Sequence, residues 1–150
     1  MGTHYRGRPA EVRALDAFIK LTRATSSVGV RLGRRLAKAG LTTTQLGVLE
    51  ALLHLGPLRQ RVVGEKLLMS GGNITTVIDN LERRHLVRRE RHDDDRRNVT
   101  VQLTPRGRRL IARYFPHHVA AIVEIFSALT AAEQDELARL AKKLGRAPAV

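Results

Sequence analysis

The chain has 150 residues and a formal net charge of +13, from 27 Lys and Arg against 14 Asp and Glu. This length suits one domain with its own core, and so basic a chain predicts an anionic partner, either a nucleic acid or a membrane surface. Without cysteine there are no disulfides or Cys-ligated zinc, and 3% aromatic residues disfavour the base-stacking surfaces of single-strand and RNA binders.

The N-terminal part of the chain is predicted to form one long helix. Pro9 suits a first helical turn, and an apolar stripe with helical spacing continues to Leu36 before Gly40 ends the helix. This stripe is too long to be covered by the short elements that follow it, so the helix is expected to have a partner outside its own lobe.

Three shorter helices are predicted next. Thr42, with Gln45 three residues later, forms a capping box that opens the first of them, and Gly56-Pro57 ends it. A short helix over about 59–68 follows, and Ser70 is predicted as the N-cap of the third. Helices of this length with short connections are typical of a helix-turn-helix.

The third of these helices has two contrasting faces. Ile74, Val77, Ile78 and Leu81 stand at i, i+3, i+4 and i+7 and predict one buried stripe. The other face carries small and polar groups, which allow close approach to base edges in a DNA major groove; Asp79 repels phosphate and is expected to orient a neighbouring Arg. An ordinary capped amphipathic helix is the alternative. The candidate DNA-binding residues of this helix are Ser70, Gly71, Gly72, Asn73, Thr75, Thr76, Asn80 and Arg83.

These candidates divide by the contact that each can make. Base discrimination is assigned to Asn73, Thr75 and Thr76, whose short polar groups can donate and accept at base edges. Ser70, Gly71, Gly72 and Arg83 are assigned to the sugar-phosphate backbone, because unpaired amides at a helix N-terminus and a guanidinium both attract phosphate.

A β-hairpin is predicted after this helix. Two β-runs, 86–91 and 98–103, flank a charged tip, and the second run alternates polar and apolar residues at period two. At the tip, Arg96 and Arg97 suit the narrow minor groove, and Asp95 can hold such an Arg in place by a fork-shaped pair. The hairpin is therefore predicted to be a DNA-binding wing, with a solvated turn as the alternative for its tip.

The C-terminal part is predicted to form two further helices. Thr104-Pro105 begins a long one, in which Pro116 is expected to produce a kink, and Thr130 with Glu133 forms a capping box for the last, which Gly145 ends. The predicted fold is mainly α with a small β-hairpin wing, a winged helix-turn-helix of order ααααββαα.

The domain organisation follows from this order. Residues 1–150 are predicted to form a single domain, in which 41–110 make the winged-helix DNA-binding lobe. The helices over 9–36 and 105–146 carry more apolar surface than a lobe of that size could cover. They are expected to pair two chains.

Part of this centre resembles a known family. The segment from Leu67 through Gly107, with Asp95-Arg96-Arg97 and then Leu103-Thr104 and Gly107, is similar to the Asp-Arg-Arg…Leu-Thr…Gly signature of the MarR family of winged-helix regulators in bacteria and archaea. The helix order extends the resemblance over nearly all of the chain. His85 departs from it, because the family usually has Gly there, and a stiffer helix-to-strand turn is expected.

The resemblance implies a function. It implies a homodimeric repressor with two recognition helices in successive major grooves and two wings, carrying Asp95 and Arg97, over the minor grooves. It also implies release from DNA by a small aromatic or anionic effector, bound between the dimerisation and DNA-binding lobes. Such a regulator is expected to be cytoplasmic and associated with the prokaryotic nucleoid.

Other functions are less well supported by the residues. No nucleophile with a base, paired carboxylates or phosphate-binding Gly loop stands out, so no catalytic residue and no cofactor are predicted. Six histidines include His117-His118, whose side chains point about 100° apart on a helix, so no metal site is predicted. A protein that coats nucleic acid by charge alone is the main alternative, whereas membrane binding lacks a transmembrane run or a strongly amphipathic basic helix.

Overall fold

The computed structural model describes residues 3–91 and 99–146, and within them it forms six helices and three strands. This confirms the predicted winged helix-turn-helix of mainly helical structure, with one strand more than predicted. In chain order the elements are α1 Pro9–Lys38, α2 Thr43–Leu55, β1 Leu58–Arg59, α3 Gln60–Lys66, α4 Gly71–Arg83, β2 Val87–Arg91, β3 Val99–Leu103, α5 Pro105–Phe126 and α6 Ala131–Gly145.

The sheet is antiparallel with strand order β1-β3-β2. Val101 is central to it, since its partners are Leu58 of β1 and Arg89 of β2. The additional strand β1 corrects the predicted order, because it lies between α2 and α3 and shortens the helix expected over 59–68. Two residues are too few for a periodic pattern, and β1 owes its conformation to pairing with a strand some forty positions later.

Both predicted capping boxes are confirmed. The hydroxyl of Thr42 accepts from the amide of Gln45 at 3.2 Å, while the Gln45 side chain accepts from the amide of Thr42 at 3.1 Å. Thr130 and Glu133 make the same reciprocal pair. Ser70 is the N-cap residue of α4 by position, but its side chain makes no capping hydrogen bond, so that part of the prediction is wrong.

The chain divides into two compact units between His118 and Val119. In the first unit, the core joins the end of α1 to the helices and strands of the winged helix. Its fully buried side chains include Leu36, Leu49, Leu52, Val63, Ile78, Leu81, Leu86, Val101 and Ile111. Each such side chain stabilises the fold by roughly 1.5–3 kcal/mol relative to exposure, so this core holds α4 and the strands in fixed positions.

In the second unit, α6 buries none of its residues in the single chain. The side-chain amide of Gln134 donates to the carbonyls of Phe126 and Leu129, both at 3.1 Å, and ties the start of α6 to the end of α5. α5 continues through Pro116, and the predicted kink there stays a prediction. Within residues 3–91 and 99–146 no single helix has the length and apolar character of a membrane span, although α5 and α6 taken together across their bend meet both criteria.

Candidate DNA-binding surface

Helix α4 presents a small polar face over a buried apolar stripe. Ile78 and Leu81 are fully buried, Ile74 is nearly so, and Val77 is partly buried against the core, which confirms the stripe predicted from their spacing. On the opposite side, the residues at the N-terminal end are exposed, and these are Gly71, Gly72, Asn73, Thr75 and Thr76. Because no bulky side chain stands among them, this end of α4 can approach another surface closely.

The two threonines of this face differ in the hydrogen-bonding capacity that remains to their hydroxyls. The Thr75 hydroxyl donates to the Gly71 carbonyl at 2.9 Å and accepts from the Gln60 side-chain amide at 2.9 Å. The Thr76 hydroxyl donates to the Gly72 carbonyl at 3.2 Å. Both donate to the helix itself, so each can meet a ligand mainly as an acceptor, and the oxygen of Thr75 already accepts from Gln60.

Two other predicted contact residues bind each other. The Arg83 guanidinium donates to the side-chain oxygen of Asn80, one turn earlier on α4. The Arg83 side chain is exposed, and its remaining N–H groups can donate to a phosphate. The pair fixes where that guanidinium lies at the C-terminal end of the helix.

The sequence predicted that Asp79 orients a neighbouring Arg, and that residue is Arg89 of β2. One guanidinium nitrogen of Arg89, Nη2, lies 2.6 Å from Asp79 Oδ1, and Nη1 lies 2.7 Å from Glu82 Oε2. Glu82 also accepts from the main-chain amide of Arg89 at 2.9 Å. Both acidic side chains of α4 are therefore paired with a single arginine on the adjacent strand β2.

Arg89 also contacts α3, the helix before α4. Its Nε donates to the Gln60 side-chain oxygen at 3.0 Å, and its Nη2 lies 3.5 Å from the Thr75 carbonyl oxygen. Sequence reasoning missed Arg89. The signal was present, because alternation on a strand puts Arg89 on the same face as the buried Val87, beside two acids one turn apart on α4.

The backbone at the junction between α4 and β2 favours glycine at position 85, where this chain has His. His85 has a φ of +55°, in the left-handed region where glycine is unstrained. Its carbonyl accepts from the Thr104 hydroxyl at 2.7 Å, and its amide donates to the Glu82 carbonyl at 2.8 Å. A glycine at this position would meet the backbone requirement at no steric cost.

The predicted wing residues Asp95, Arg96 and Arg97 lie outside the described residues. The strands that carry the tip are described up to Arg91 and from Val99. Across them, the side-chain amide of Gln102 donates to Glu90 at 2.6 Å. The base of the hairpin is thus held both by the main-chain ladder and by this side-chain pair.

A small cavity of about 170 Å³ lies between the end of α1 and α5. It is lined by Ala39, Leu110, Arg113, Tyr114 and His117. The lining combines a guanidinium and two rings with the apolar side chains of Ala39 and Leu110, and these groups suit a small aromatic anion. In the part of the chain that the structure describes, no cluster of three or more His, Asp or Glu side chains could hold a metal ion.

Two further histidines, His54 and His118, lie against the ring of Phe115. The rings of His54 and Phe115 meet edge to face with centroids 5.0 Å apart, and His118 lies 6.4 Å from the same Phe115 ring. Burial lowers the pKa of His118 below its usual 6.5, while the charge of Glu50 opposes that shift. The folded protein therefore favours a neutral imidazole at position 118.

A family model and a curated relative both match this chain. A model of the MarR family matches residues 39–98. The HTH-type transcriptional regulator MhqR of Bacillus subtilis (strain 168) is 35% identical over 133 residues, which are 89% of this chain and 92% of that protein.

Two solved structures are similar over most of the chain. Bordetella bronchiseptica BpsR, whose DNA binding is regulated by 6-hydroxynicotinic acid, superposes with a TM-score of 0.80 at 27% identity, covering 86% of this chain and 98% of its own. Sco3205 from Streptomyces coelicolor, a MarR family transcriptional regulator solved in complex with DNA, has a TM-score of 0.85 over 99% of this chain and 95% of its own. At 24% identity this second likeness shows the fold alone.

Proposed function

This chain belongs to the MarR family, and on that basis we propose that it is a sequence-specific regulator of transcription that binds double-stranded DNA. It acts as a homodimeric repressor on a pseudo-palindromic operator, in the prokaryotic cytoplasm at the nucleoid, and no catalytic step is proposed. The observation that carries the proposal is the exposed polar face at the start of α4, which includes Asn73 and Thr76, above an apolar stripe that packs into the core.

Helix α4 is proposed as the recognition helix in the major groove. Asn73 and Thr76 are exposed and are assigned to base edges, while Thr75 takes a smaller part because its oxygen already accepts from Gln60. The main-chain amides that follow Ser70, at the N-terminus of α4, are assigned to phosphate, because the first amides of a helix have no partner within it. The remaining backbone contacts are assigned to Gly71, Gly72, Asn80 and Arg83.

The wing is proposed to occupy the adjacent minor groove. Its tip carries Arg96 and Arg97, and arginine is favoured where a narrow groove strengthens the negative potential of DNA. Asp95, two positions before Arg97, is assigned to holding that guanidinium in place by a paired contact. This assignment rests on the sequence.

Dimerisation is proposed through α1 and the two C-terminal helices. In the single chain these helices leave large apolar side chains exposed, among them Phe18 at 65%, Val123 at 63% and Leu144 at 62%. A two-fold dimer would cover such surface and would set the two α4 helices about one helical turn, roughly 34–36 Å, apart along DNA.

A small aromatic or anionic effector is proposed to regulate binding. The cavity between α1 and α5 offers Arg113 for a carboxylate and Tyr114 and His117 for a ring. The relative BpsR, which responds to 6-hydroxynicotinic acid, supports a ligand of this chemical class.

The competing function is charge-driven coating of nucleic acid. The test measures dissociation constants for an enriched genomic fragment and for a scrambled duplex of the same composition, at matched salt. A regulator prefers the fragment by about 10³-fold or more. Equal dissociation constants that weaken in parallel as salt rises would replace the proposal with the coating protein.

A further inference from the structure

We infer that Arg89 is a positioning residue for DNA recognition: it holds Asp79 and Glu82 of α4 so that two carboxylates beside the DNA-contacting face neither repel phosphate nor let the helix shift. This inference rests on the proposed function. Arg89 itself is assigned no contact with DNA.

The guanidinium of Arg89 uses each of its three nitrogens on a different side chain. Nη2 meets Asp79 at 2.6 Å, Nη1 meets Glu82 at 2.7 Å, and Nε meets Gln60 at 3.0 Å. A planar fork with fixed donor directions constrains its partners more than a point charge does. One side chain from β2 therefore fixes α3 and two sites on α4 relative to one another.

The charges matter because of where the acids stand. The side chains of Asp79 and Glu82 are 49% and 39% exposed, whereas that of Arg89 is 21% exposed. Two unpaired carboxylates, one turn apart on a helix that approaches DNA, would face the phosphate charge and raise the cost of entering the groove. Arg89 supplies the cation between them without projecting into solvent itself.

The same network extends into the DNA-contacting face. Gln60 accepts from Arg89 through its oxygen and donates from its nitrogen to the Thr75 hydroxyl at 2.9 Å. Thr75 is exposed in the second turn of α4, next to Thr76. Movement of Arg89 would therefore be transmitted to the part of α4 that is assigned to bases.

The decisive variant is D79N/E82Q. If only charge matters, the preference for the selected duplex stays unchanged, whereas if Arg89 positions α4, that preference falls. The variant adds two units of positive charge to a chain of +13 and replaces both ion pairs of Arg89 with weaker hydrogen bonds to neutral amides. The measurement is the ratio of dissociation constants for scrambled and selected duplexes, at matched salt. We expect tighter binding to scrambled DNA and a fall of about tenfold in the ratio. An unchanged ratio, with both duplexes bound more tightly, would overturn the inference.

A second pair of variants separates Arg89 from any other positive charge. R89Q and R88Q remove the same charge from neighbouring positions of β2, but Arg88 is exposed on the other face of the strand. R89Q should lower the ratio about tenfold, whereas R88Q should leave it unchanged. R89K should bind scrambled DNA as the natural chain does, because it keeps the positive charge. Its ratio of dissociation constants should stay as low as that of R89Q, since an ammonium lacks the planar set of donors of a guanidinium.

These outcomes also separate the inference from the function beneath it. Equal loss of the ratio in R88Q and R89Q would overturn the role of Arg89 while the wild-type protein remained specific. A wild-type ratio near one would instead refute the proposed function. Circular dichroism and size-exclusion chromatography establish that each variant is folded and dimeric; if R89Q does not fold, D79N/E82Q alone decides.

Discussion

Gly107 lies so close to the main chain of Leu86 that a β-carbon at position 107 would stand 1.8 Å from the Leu86 carbonyl oxygen. The same oxygen accepts from the Thr104 amide at 3.1 Å and from the Thr104 hydroxyl at 3.2 Å. The first turn of α5 is thus packed directly on the junction between α4 and β2. The last glycine of the family signature is explained by this contact, since no side chain fits there.

Replacing Gly107 should therefore destabilise the fold. We expect G107A to lower the free energy of unfolding by about 3 kcal/mol or more, because main chain must move to admit the methyl group. Urea denaturation followed by circular dichroism measures the loss. G71A is the matched control, since nothing lies within 4 Å of a β-carbon there. A G107A midpoint equal to that of the control would contradict the packing argument.

The turn at His85 makes the opposite prediction. Because His85 occupies the left-handed region, H85G should retain the stability of the natural chain or gain up to about 1 kcal/mol. H85V should lose at least about 1 kcal/mol, since a β-branched residue tolerates this region poorly. Thermal unfolding of the two variants checks the order, and a valine variant as stable as the glycine variant would show that this backbone is unstrained.

The elements that the sequence predicted are those that nearby residues determine. The capping box of Thr42 and Gln45 and the stripe from Ile74 to Leu81 are set within single helices, and both are confirmed. Strand β1 and the role of Arg89 depend on partners far along the chain, namely Val101 for β1 and Gln60 for Arg89. Strand alternation places Arg89 on the buried face of β2, but it carries no information about the pairing with Gln60 or with Val101.

Within α4 the structure also ranks two residues that are alike in sequence. Thr75 and Thr76 are both predicted to contact bases, and the hydrogen bond from Gln60 distinguishes their hydroxyls. That difference depends on the side chain of a residue fifteen positions earlier, which no helical pattern could indicate.

The two threonines should consequently differ in their effect on specificity. T76A should cost about 1–3 kcal/mol at particular base pairs of the operator and less elsewhere. T75A should have the smaller effect, because its oxygen is already occupied. Binding to a set of operators with single base-pair changes measures both variants. A T76A loss that is equal on every sequence would move this residue to the phosphate contacts.

The wing prediction is tested by Arg97. R97A should weaken operator binding by about tenfold or more, through loss of a minor-groove guanidinium, while the protein stays dimeric. Fluorescence anisotropy with labelled operator and sedimentation of the free protein give the two quantities. Unchanged affinity would remove the wing tip from the DNA-binding surface.

The environment of His118 predicts a pH dependence of stability. Burial lowers its folded pKa below 6.5, so the unfolded chain binds the proton more readily, and stability is lost as the pH falls from about 7 toward 5. H118Q should flatten the curve of unfolding free energy over this range. H117Q is the control, because His117 is exposed. Equal slopes for the natural chain and H118Q would contradict the role of this imidazole.

Sequence-specific recognition of DNA by a homodimer can be measured by selecting duplexes from a random pool with the purified protein at physiological salt and sequencing those bound. We expect a two-fold symmetric motif whose half-sites are separated by about one helical turn. Bound sequences that cannot be distinguished from the starting pool would contradict it.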